Sequence, residues 1–340
     1  MGNEFWTGRR VLVTGCTGIL GSWLTHALIE AHAEVIGLVH ARAPESNLFR
    51  LGTHACIVQV DGDLTEYHLL ERVLNEYEIE VVFHLAAQSL VHVASQQPVD
   101  TFETNVRGTW LLLEACRLSK TVKRIVVASS YRAYGVQGAL PYTEAASLEG
   151  RSAYDTSKAC TDLIAQAFAH TYELPLAVTR CGNIYGSGDL NWDRLVPGAM
   201  RSVVCGEPPV IRSDGTLQRD YLYVDDAVAG YLCLAERLDD TALYGQAFNF
   251  GMDAPRSVLE IVETIIGLSD HAELKPIILN SAGHEIQQQY LSSEKARRVL
   301  GWQPRYSLEA GLRQTLAWYR AYLSMKETSK VSAERTRSVA

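Results

Sequence analysis

Thr14-Gly15-Cys16-Thr17-Gly18-Ile19-Leu20-Gly21 follows a short β-branched run, Val11-Leu12-Val13, and opens an apolar helical pattern that extends to Ala31. Gly15 allows a tight turn, Gly18 lets the backbone approach a pyrophosphate, and Gly21 permits close packing of a helix on a strand. The phosphate would then lie at the positive N-terminus of that helix. The stretch therefore predicts a dinucleotide-binding βαβ unit.

Short apolar runs and longer helical patterns alternate through the first half of the chain. The predicted strands are Val11–Thr14, Glu34–Val39, Cys56–Val60, Val81–Leu85, Arg124–Ala128 and Leu176–Arg180, and the predicted helices are Ile19–Ala31, Leu64–Tyr77, Val99–Leu118 and Ser152–Tyr172. Apolar strands separated by helices indicate a parallel sheet that is covered on both faces. The predicted fold is therefore α/β, a doubly wound parallel sheet of the Rossmann type.

The pattern changes after Gly182, where Gly and Pro become frequent and the elements become shorter. We interpret residues 1–182 as the cofactor-binding domain and 183–325 as a smaller substrate lobe interleaved with it. Ligands of doubly wound folds bind where the strands end, so this lobe is predicted to form one wall of that cleft. The charged segment 326–340 has no periodicity and is predicted to be a disordered tail.

The composition argues against several classes of protein. A net charge of −8 provides no basic face for nucleic acid, and no apolar run reaches the roughly 20 residues of a membrane span. The N-terminus lacks the layout of a signal peptide. The seven cysteines are odd in number, scattered, and without a Cys-x-x-Cys pair. We therefore expect a cytoplasmic protein with reduced cysteines, no metal site, and neither nucleic acid nor membrane as a partner.

A candidate catalytic group lies at the start of the predicted helix Ser152–Tyr172. Tyr154 and Lys158 are four residues apart and therefore share a helix face. A phenol ionises at about pH 10, but a neighbouring ammonium and an oxidised nicotinamide both favour its phenolate. The phenolate can take a proton from a sugar hydroxyl while hydride leaves the same carbon. Ser130, just past the fifth strand, can hydrogen-bond that oxygen, so these three residues are predicted to be catalytic.

With these features in this order, residues 8–320 or so resemble the extended short-chain dehydrogenase/reductases, and among them the nucleotide-sugar epimerases and dehydratases. The motifs that carry the resemblance are Asp63-Leu64, His84-Leu85-Ala86-Ala87-Gln88, Asn105-Val106-Arg107-Gly108-Thr109, Arg180-Cys181-Gly182-Asn183-Ile184-Tyr185-Gly186, Arg219-Asp220-Tyr221, Phe248-Asn249-Phe250-Gly251 and Leu300-Gly301-Trp302-Gln303-Pro304. Phe5–Val11 and Gly188–Pro197 are most similar to the CDP-glucose 4,6-dehydratases.

The resemblance implies a nucleotide diphosphate sugar as substrate and a role for each matching residue. Cofactor contacts are implied for Gly15, Thr17, Gly18, Ile19, Leu20, Gly21, Asp63 and Leu64 (adenine side), Leu85, Ala86 and Ala87 (nicotinamide side), Asn105, Tyr154, Lys158 and Cys181. Substrate contacts are implied for Gln88, Asn183 and Arg219 (phosphates) and Leu195 (base or ribose). From the residues alone, Asp63 also fits a helix cap, Asn183 a turn cap, and Arg219 an ion pair with an acid.

Two further expectations concern the cofactor and the assembly. An acid after the second strand takes the ribose hydroxyls of NAD, whereas a basic residue tolerates the extra phosphate of NADP. Here the sequence is His40-Ala41-Arg42, with no acid before Glu45, so Arg42 favours NADP and NAD stays open. The helices Val99–Leu118 and Ser152–Tyr172 resemble those of the family's dimer interface and imply a homodimer.

The chain departs from the dehydratases directly after Ser130. In that family the next two residues supply an acid for the C6 hydroxyl and a base for the C5 proton, but here they are Tyr131 and Arg132. Tyrosine can in principle donate a proton, so Tyr131 and Arg132 are candidate catalytic or substrate contacts. Arginine is no base near neutral pH, however, and nothing obvious takes the C5 proton. We therefore predict a 4-epimerase that works through a transient 4-keto sugar. A 4,6-dehydratase, a 4-keto reductase and a non-catalytic NAD(P)-binding sensor are the alternatives.

Overall fold

The computed structural model describes residues 4–41, 43–281 and 286–337, and of residues 327–337 it describes the backbone alone. Arg42 lies outside the described residues, so its preference for NADP stays a prediction. The chain forms two compact units. The larger unit comprises Met1–Ile184, Asp220–Pro255 and Gln289–Arg305, and the smaller unit comprises Tyr185–Arg219, Arg256–Gln288 and Tyr306–Ala340.

The elements are numbered in chain order. The strands are β1 (Arg10–Thr14), β2 (Glu34–Val39), β3 (Val58–Asp61), β4 (Val81–His84), β5 (Arg124–Ala128), β6 (Leu176–Cys181), β7 (Asn183–Tyr185), β8 (Val210–Ile211), β9 (Gln218–Arg219), β10 (Tyr221–Tyr223), β11 (Ala247–Phe250), β12 (Arg256–Ser257), β13 (Ile277–Ile278) and β14 (Gln288–Gln289). The α-helices are α1 (Ile19–Glu30), α2 (Asn47–Arg50), α3 (Tyr67–Glu76), α4 (Val91–Gln96), α5 (Pro98–Phe102), α6 (Gly108–Leu118), α7 (Ala153–Tyr172), α8 (Leu195–Val204), α9 (Val224–Arg237), α10 (Val258–Leu268) and α11 (Leu308–Arg337). Short 3₁₀ helices cover Thr53–Cys56, Tyr131–Tyr134 and Thr241–Leu243, and π turns cover Glu103–Arg107 and Ala296–Leu300.

The larger unit is built on a seven-stranded sheet in the order β11-β6-β5-β4-β1-β2-β3. Every neighbouring pair is parallel, which confirms the predicted doubly wound fold. The order reverses between β4 and β1, because the chain builds outward from β1 in one direction and then returns to its other side. In open α/β sheets this reversal marks the ligand-binding edge.

Side chains alternate between the two faces of the sheet, as strand geometry requires. Val11 and Val13 belong to one buried cluster, which includes residues of α1 and α9, whereas Leu12 belongs to the other, with residues of α3, α6 and α7. Apolar clusters on both faces explain why the strands read as continuous apolar runs.

The larger unit first ends at Ile184, two residues beyond the boundary that the sequence predicts, and the chain returns to it twice. The first return supplies β11, whose four residues are all buried and pair with β6. The sequence analysis missed this seventh strand because its position follows a long irregular stretch. The second return includes Trp302, which packs edge-on against Phe250 of β11.

The smaller unit contains α8, α10 and α11, the parallel pair β8 and β13, and the antiparallel pair β9 and β12. Its helix α10 begins with a capping box in which Ser257 and Glu260 exchange hydrogen bonds. Helix α11 continues to Arg337, so the prediction of a disordered tail is wrong for residues 326–337. No Gly or Pro interrupts the sequence after Gly311, and a helix with no breaker can extend beyond its packed portion.

Among the described residues, none of the helices combines the length and the apolar character that crossing a membrane requires.

Candidate dinucleotide and catalytic site

The turn after β1 needs two of its glycines for reasons internal to the protein. Gly15 has a φ of +74°, and a Cβ built on it would lie 2.8 Å from the backbone nitrogen of Ala86. A Cβ on Gly21 would lie only 2.0 Å from the carbonyl oxygen of Gly15. Both positions exclude any larger residue, because backbone atoms cannot move away as a flexible side chain can.

Gly18, by contrast, is not required to be glycine by its backbone conformation or by the packing around it. Its φ is −72° and its ψ is 171°, which any residue adopts, and a Cβ on it would meet only the carbonyl oxygen of Gly15, at 3.4 Å. Helix α1 starts at the next residue and carries no acidic side chain in its first turn, which holds Ile19, Leu20 and Gly21. A free space beside an uncompensated helix N-terminus suits an anion such as a pyrophosphate. The residues present therefore fit a dinucleotide.

The strand that neighbours β1 at the reversal point contributes a second turn to this edge. Thr14, the last residue of β1, accepts hydrogen bonds through Oγ1 from the backbone nitrogens of Leu85 and Ala86, each at 3.1 Å. These bonds fix the turn Leu85–Ala87, which is the segment that the family resemblance implies for the nicotinamide side.

The residues predicted for the adenine side follow β3. Oδ1 of Asp63 accepts hydrogen bonds from the backbone nitrogen and hydroxyl of Thr65, both at 2.7 Å, and Nδ1 of His40 lies 3.0 Å from Oδ2. Partial burial raises the pKa of Asp63, but these hydrogen bonds and the charge of His40 hold it below its ordinary value. Asp63 therefore closes the turn that precedes α3, but the N-cap of that helix is Glu66, so the capping alternative is wrong. Leu64 is buried against α6, where a Cβ on Gly108 would lie 2.5 Å from its Cδ2.

A chain of buried polar groups joins β4 to the helix that carries Tyr154. Nδ1 of His84 lies 2.9 Å from Oγ1 of Thr14, and its Nε2 lies 3.0 Å from Oγ1 of Thr109. Complete burial, together with the charge of Lys158, lowers the pKa of His84 to about 3. Asn105 donates through Nδ2 to the carbonyl oxygen of Gln88 at 3.1 Å and to Oγ of Ser157 at 2.9 Å.

The Oδ1 atom of Asn105 accepts a hydrogen bond from the backbone nitrogen of Gln88 at 2.7 Å. The Asn105 amide thus holds Gln88 and α7 together, and the cofactor and substrate contacts implied for Asn105 and Gln88 stay predictions.

The three predicted catalytic residues come from the end of β5 and the start of α7. Ser152 caps α7 by accepting a hydrogen bond from the backbone nitrogen of Asp155 at 3.1 Å, which places Tyr154 in the first turn. Nζ of Lys158 donates to the carbonyl oxygen of Ala128, the last residue of β5, at 2.8 Å. Ser130 lies just beyond that strand and is buried. The structure thus brings Lys158 to the end of β5 that leads to Ser130.

Burial lowers the pKa of Lys158 to about 8, although the charge of Asp162 one turn further on acts in the opposite direction. An amine with such a pKa is partly neutral in mildly alkaline solution. A charge that binds next to Lys158 would therefore change the fraction of this amine that is protonated.

Tyr131 and Arg132, the two residues after Ser130, are both committed to partners within the protein. The buried Tyr131 donates its hydroxyl hydrogen to Oδ1 of Asn183 at 3.0 Å. Nε of Arg132 donates to Oδ1 of Asp155 at 2.7 Å. The sequence analysis did not identify Asp155. Its position directly after Tyr154, in the first turn of a helix that begins with a Ser cap, was the available signal.

The remaining predicted residues belong to other elements of the chain. Cys181 ends β6, and burial raises the pKa of its thiol to about 12, so it is a neutral core residue. Leu195 is the first residue of α8, and Arg219 donates to the carbonyl oxygens of Gln218 at 2.8 Å and Gln287 at 3.4 Å; all of these belong to the smaller unit. Among the described residues, no group of three or more His, Cys, Asp or Glu side chains is arranged to hold a metal ion.

Comparison with known proteins adds relatives of two activities. A family model described as GDP-mannose 4,6-dehydratase matches residues 12–315. The CDP-glucose 4,6-dehydratase of Salmonella typhimurium is 32% identical, over 94% of this chain and 93% of its own. The UDP-glucose 4-epimerase of Thermotoga maritima, solved with UDP-glucose, is 28% identical with a TM-score of 0.84, over 92% of this chain and 99% of its own. The dTDP-glucose 4,6-dehydratase of Bacillus anthracis, solved in complex with NAD, is 28% identical with a TM-score of 0.81, over 92% and 97%.

Proposed function

The chain belongs to the GDP-mannose 4,6-dehydratase family, and from that premise we propose that it is a nucleotide diphosphate sugar 4-epimerase that works through a transient 4-keto sugar. One observation carries the choice of epimerisation. The two residues that follow Ser130 are bound elsewhere, Tyr131 to Asn183 and Arg132 to Asp155.

The residues at the end of β5 and the start of α7 are sufficient for the chemistry at C4. Tyr154, as the phenolate, accepts the proton of the C4 hydroxyl, and Ser130 hydrogen-bonds the same oxygen. Lys158 contributes a positive charge on the same helix face, which favours that phenolate. NAD, when bound, would supply the acceptor and later the donor of the hydride. Epimerisation then needs only that the 4-keto sugar rotate so that hydride returns to the opposite face of C4, while Tyr154 returns the proton to the C4 oxygen.

Dehydration would need two further groups, an acid at the C6 hydroxyl and a base at the C5 proton. Arg132 is charged throughout the physiological range, since its pKa is raised above an already high ordinary value: burial lowers it, but the charges of Asp155, Tyr131 and Tyr154 raise it by more. The Tyr131 hydroxyl donates its hydrogen to Asn183. Neither side chain is therefore free to act as the dehydratase pair acts.

A 4,6-dehydratase is the second candidate. It is supported by the 32% identity to the CDP-glucose 4,6-dehydratase over nearly the whole chain. In that case Tyr131 would have to exchange its bond to Asn183 for one to the C6 hydroxyl, and the base would have to come from another part of the chain.

We propose NAD as the cofactor and a homodimer as the assembly. NAD is supported by the relative that was solved with it, whereas the argument for NADP depends on Arg42. The homodimer is supported by exposed apolar side chains on α5, α6 and α7, the helices for which the resemblance implies an interface. These side chains are Val99, Phe102, Trp110 and Leu163.

The test is incubation of the protein with a panel of nucleotide diphosphate hexoses and uronic acids in deuterated water, with NAD, with NADP or with neither. Products are identified by NMR. A C4 epimer without deuterium is the expected result. A 6-deoxy-4-keto product with deuterium at C5 would establish the dehydratase instead. Binding of NAD or NADP with every sugar left unchanged would favour a non-catalytic sensor.

A further inference from the structure

We propose that Arg132 and Asp155 are a pair of positioning residues that act through Tyr154, the guanidinium favouring its phenolate and the carboxylate opposing it. The proposal rests on the proposed function in one respect, namely that Tyr154 is the base at C4. It gives a role to the two side chains that the proposed chemistry leaves unused.

The pair adjoins Tyr154 through the backbone of α7. Asp155 is the next residue after Tyr154 in the first turn of α7, and Arg132 reaches it from the 3₁₀ helix Tyr131–Tyr134, with Nε 2.7 Å from Oδ1 and Nη2 3.4 Å from Oδ2. The Asp155 side chain is 6% exposed and the Arg132 side chain 25% exposed. Water therefore screens the carboxylate little, and both charges interact strongly with neighbouring groups.

The same contact fixes the position of Ser130 relative to α7. Oγ of Ser130 accepts a hydrogen bond from the backbone nitrogen of Arg132 at 3.2 Å. Gly150 donates to the carbonyl oxygen of Ala133 at 3.0 Å, and a Cβ on it would lie 2.5 Å from the backbone carbon of Asp155. Gly150 is thus wedged between the 3₁₀ helix and α7, so the two segments have little freedom to separate.

Asp155 lies in the first turn of α7. It occupies the third position of α7, and its backbone nitrogen bonds to the Ser152 cap. Carboxylates are stabilised at the N-terminus of a helix by the helix dipole. Loss of Arg132 would therefore leave an unpaired negative charge next to Tyr154, and loss of Asp155 would leave an unpaired positive charge.

Arg132 also interacts electrostatically with Tyr154. The charge of Tyr154 is among the influences that raise the pKa of Arg132, after burial, which lowers it, and after the charges of Asp155 and Tyr131, which raise it. The interaction is reciprocal, so the guanidinium must favour the ionised form of Tyr154. Among the other titratable groups, Tyr231 on α9 interacts electrostatically with Tyr154, and Lys158 shares its face of α7. Tyr131 on the 3₁₀ helix also interacts electrostatically with Arg132.

Opposite effects of the two partners separate this electrostatic role from a merely structural one. If the pair only held the segments together, loss of either partner would disturb the site in the same direction. If it acts through charge, Arg132→Gln raises the pKa of the acid limb in the pH profile of kcat/KM, and Asp155→Asn lowers it. We expect a shift of about 0.5–1 pH unit each way, at the low end of the effect of a close charge. Arg132→Lys retains the charge and should shift the limb less.

A double variant and two control variants complete the experiment. The double variant Arg132→Gln with Asp155→Asn removes both charges, and its acid limb should return close to that of the unmodified protein. The matched controls are Arg124→Gln and Asp239→Asn, because these residues form another Arg–Asp ion pair, at the opposite end of β5 from Ser130. Neither control should shift the limb.

A readout without turnover keeps the inference separate from the proposed function. The ionisation of Tyr154 can be followed by NMR in protein made with isotope-labelled tyrosine, its signal identified by loss in Tyr154→Phe. Shifts of opposite sign in the two variants, in protein that converts no sugar, would uphold the charge effect and reject the proposed function. Shifts of the same sign, or none, in folded protein would overturn the inference whatever the activity.

Discussion

The hydroxyl of Tyr131 donates a hydrogen bond to Oδ1 of Asn183 at 3.0 Å. Tyr131 follows β5 and Asn183 follows β6, and these strands are neighbours in the sheet. The bond therefore ties the 3₁₀ helix that follows β5 to the start of β7, at the edge where a doubly wound fold binds its ligands. A side chain that the family resemblance would cast as an acid instead orients a residue predicted to hold the substrate phosphates.

Tyr131→Phe should leave the product unchanged and reduce stability slightly. The change removes the donor to the partly buried oxygen of Asn183, and we expect a loss of about 1 kcal/mol in the free energy of unfolding. Urea unfolding measures the stability, and NMR of the reaction mixture identifies the product. Loss of all turnover in protein that still folds would contradict this role and would point to Tyr131 as a proton donor.

Tyr154→Phe should lower kcat by about 10²–10⁴-fold, the usual contribution of a general base, while cofactor binding persists. The same substitution at the other end of α7, Tyr172→Phe, is the control. Tyr172 is half exposed and packs against Phe168 on the surface of the helix, so its hydroxyl is not expected to affect the reaction. Equal activity of the two variants would contradict the role of Tyr154 as the base.

The stability of the cofactor-free protein should depend on pH through Lys158. Burial lowers the pKa of this amine from 10.5 to about 8 in the folded state, so the unfolded chain holds the proton more tightly. Stability therefore rises as pH increases from about 8 towards 10.5. The free energy of unfolding of the unmodified protein, compared with that of Lys158→Met, should increase over this range. A constant difference between the two proteins across the range would contradict the prediction.

Most of the central sheet could be predicted, because its strands are buried on both faces and therefore read as apolar runs. Glu34–Val39 and Arg124–Ala128 were predicted with the bounds that the structure has. The predicted helix Leu64–Tyr77 begins later, at Tyr67, because Asp63 and Glu66 form a hydrogen-bonded turn before it. The predicted helix Val99–Leu118 is helical throughout, but it contains the π turn Glu103–Arg107.

The glycine turn, the Tyr154 and Lys158 pair, and the family could also be inferred from the sequence, because each is a local motif. The ion pair of Arg132 with Asp155 could not, since it joins residues 23 positions apart, and the motifs beside them do not indicate that the two side chains meet. The hydrogen bonds from Asn105 to Gln88 and Ser157 likewise depend on how α7 packs. Contacts of this kind follow from tertiary packing, on which a single sequence carries no direct signal.

Replacement of apolar residues on α6 and α7 should separate the proposed homodimer. Trp110 and Leu163 are 41% and 55% exposed, unusually high for large apolar side chains. Trp110→Glu combined with Leu163→Glu would place charges in the interface, and we expect a monomer by light scattering. Leu51→Glu is the control, since Leu51 is 42% exposed but follows α2. A dimer that survives the double change, or a monomer before any change, would contradict the proposed interface.

Alanine at two positions of the glycine turn should separate cofactor binding from folding. The Cβ of Gly18→Ala would meet only one protein atom, at 3.4 Å, whereas that of Gly21→Ala would lie 2.0 Å from the carbonyl oxygen of Gly15. Gly18→Ala should therefore fold normally, but its methyl group would fill the space proposed for the pyrophosphate. We expect this steric conflict to weaken cofactor binding by about tenfold or more, which corresponds to a loss of about 1.4 kcal/mol in binding free energy. Gly21→Ala should instead lower the thermal stability, because the helix must move away from the turn. Calorimetric titration with NAD and thermal unfolding distinguish the two effects. If Gly18→Ala binds NAD as tightly as the unmodified protein does, the pyrophosphate does not lie against this turn.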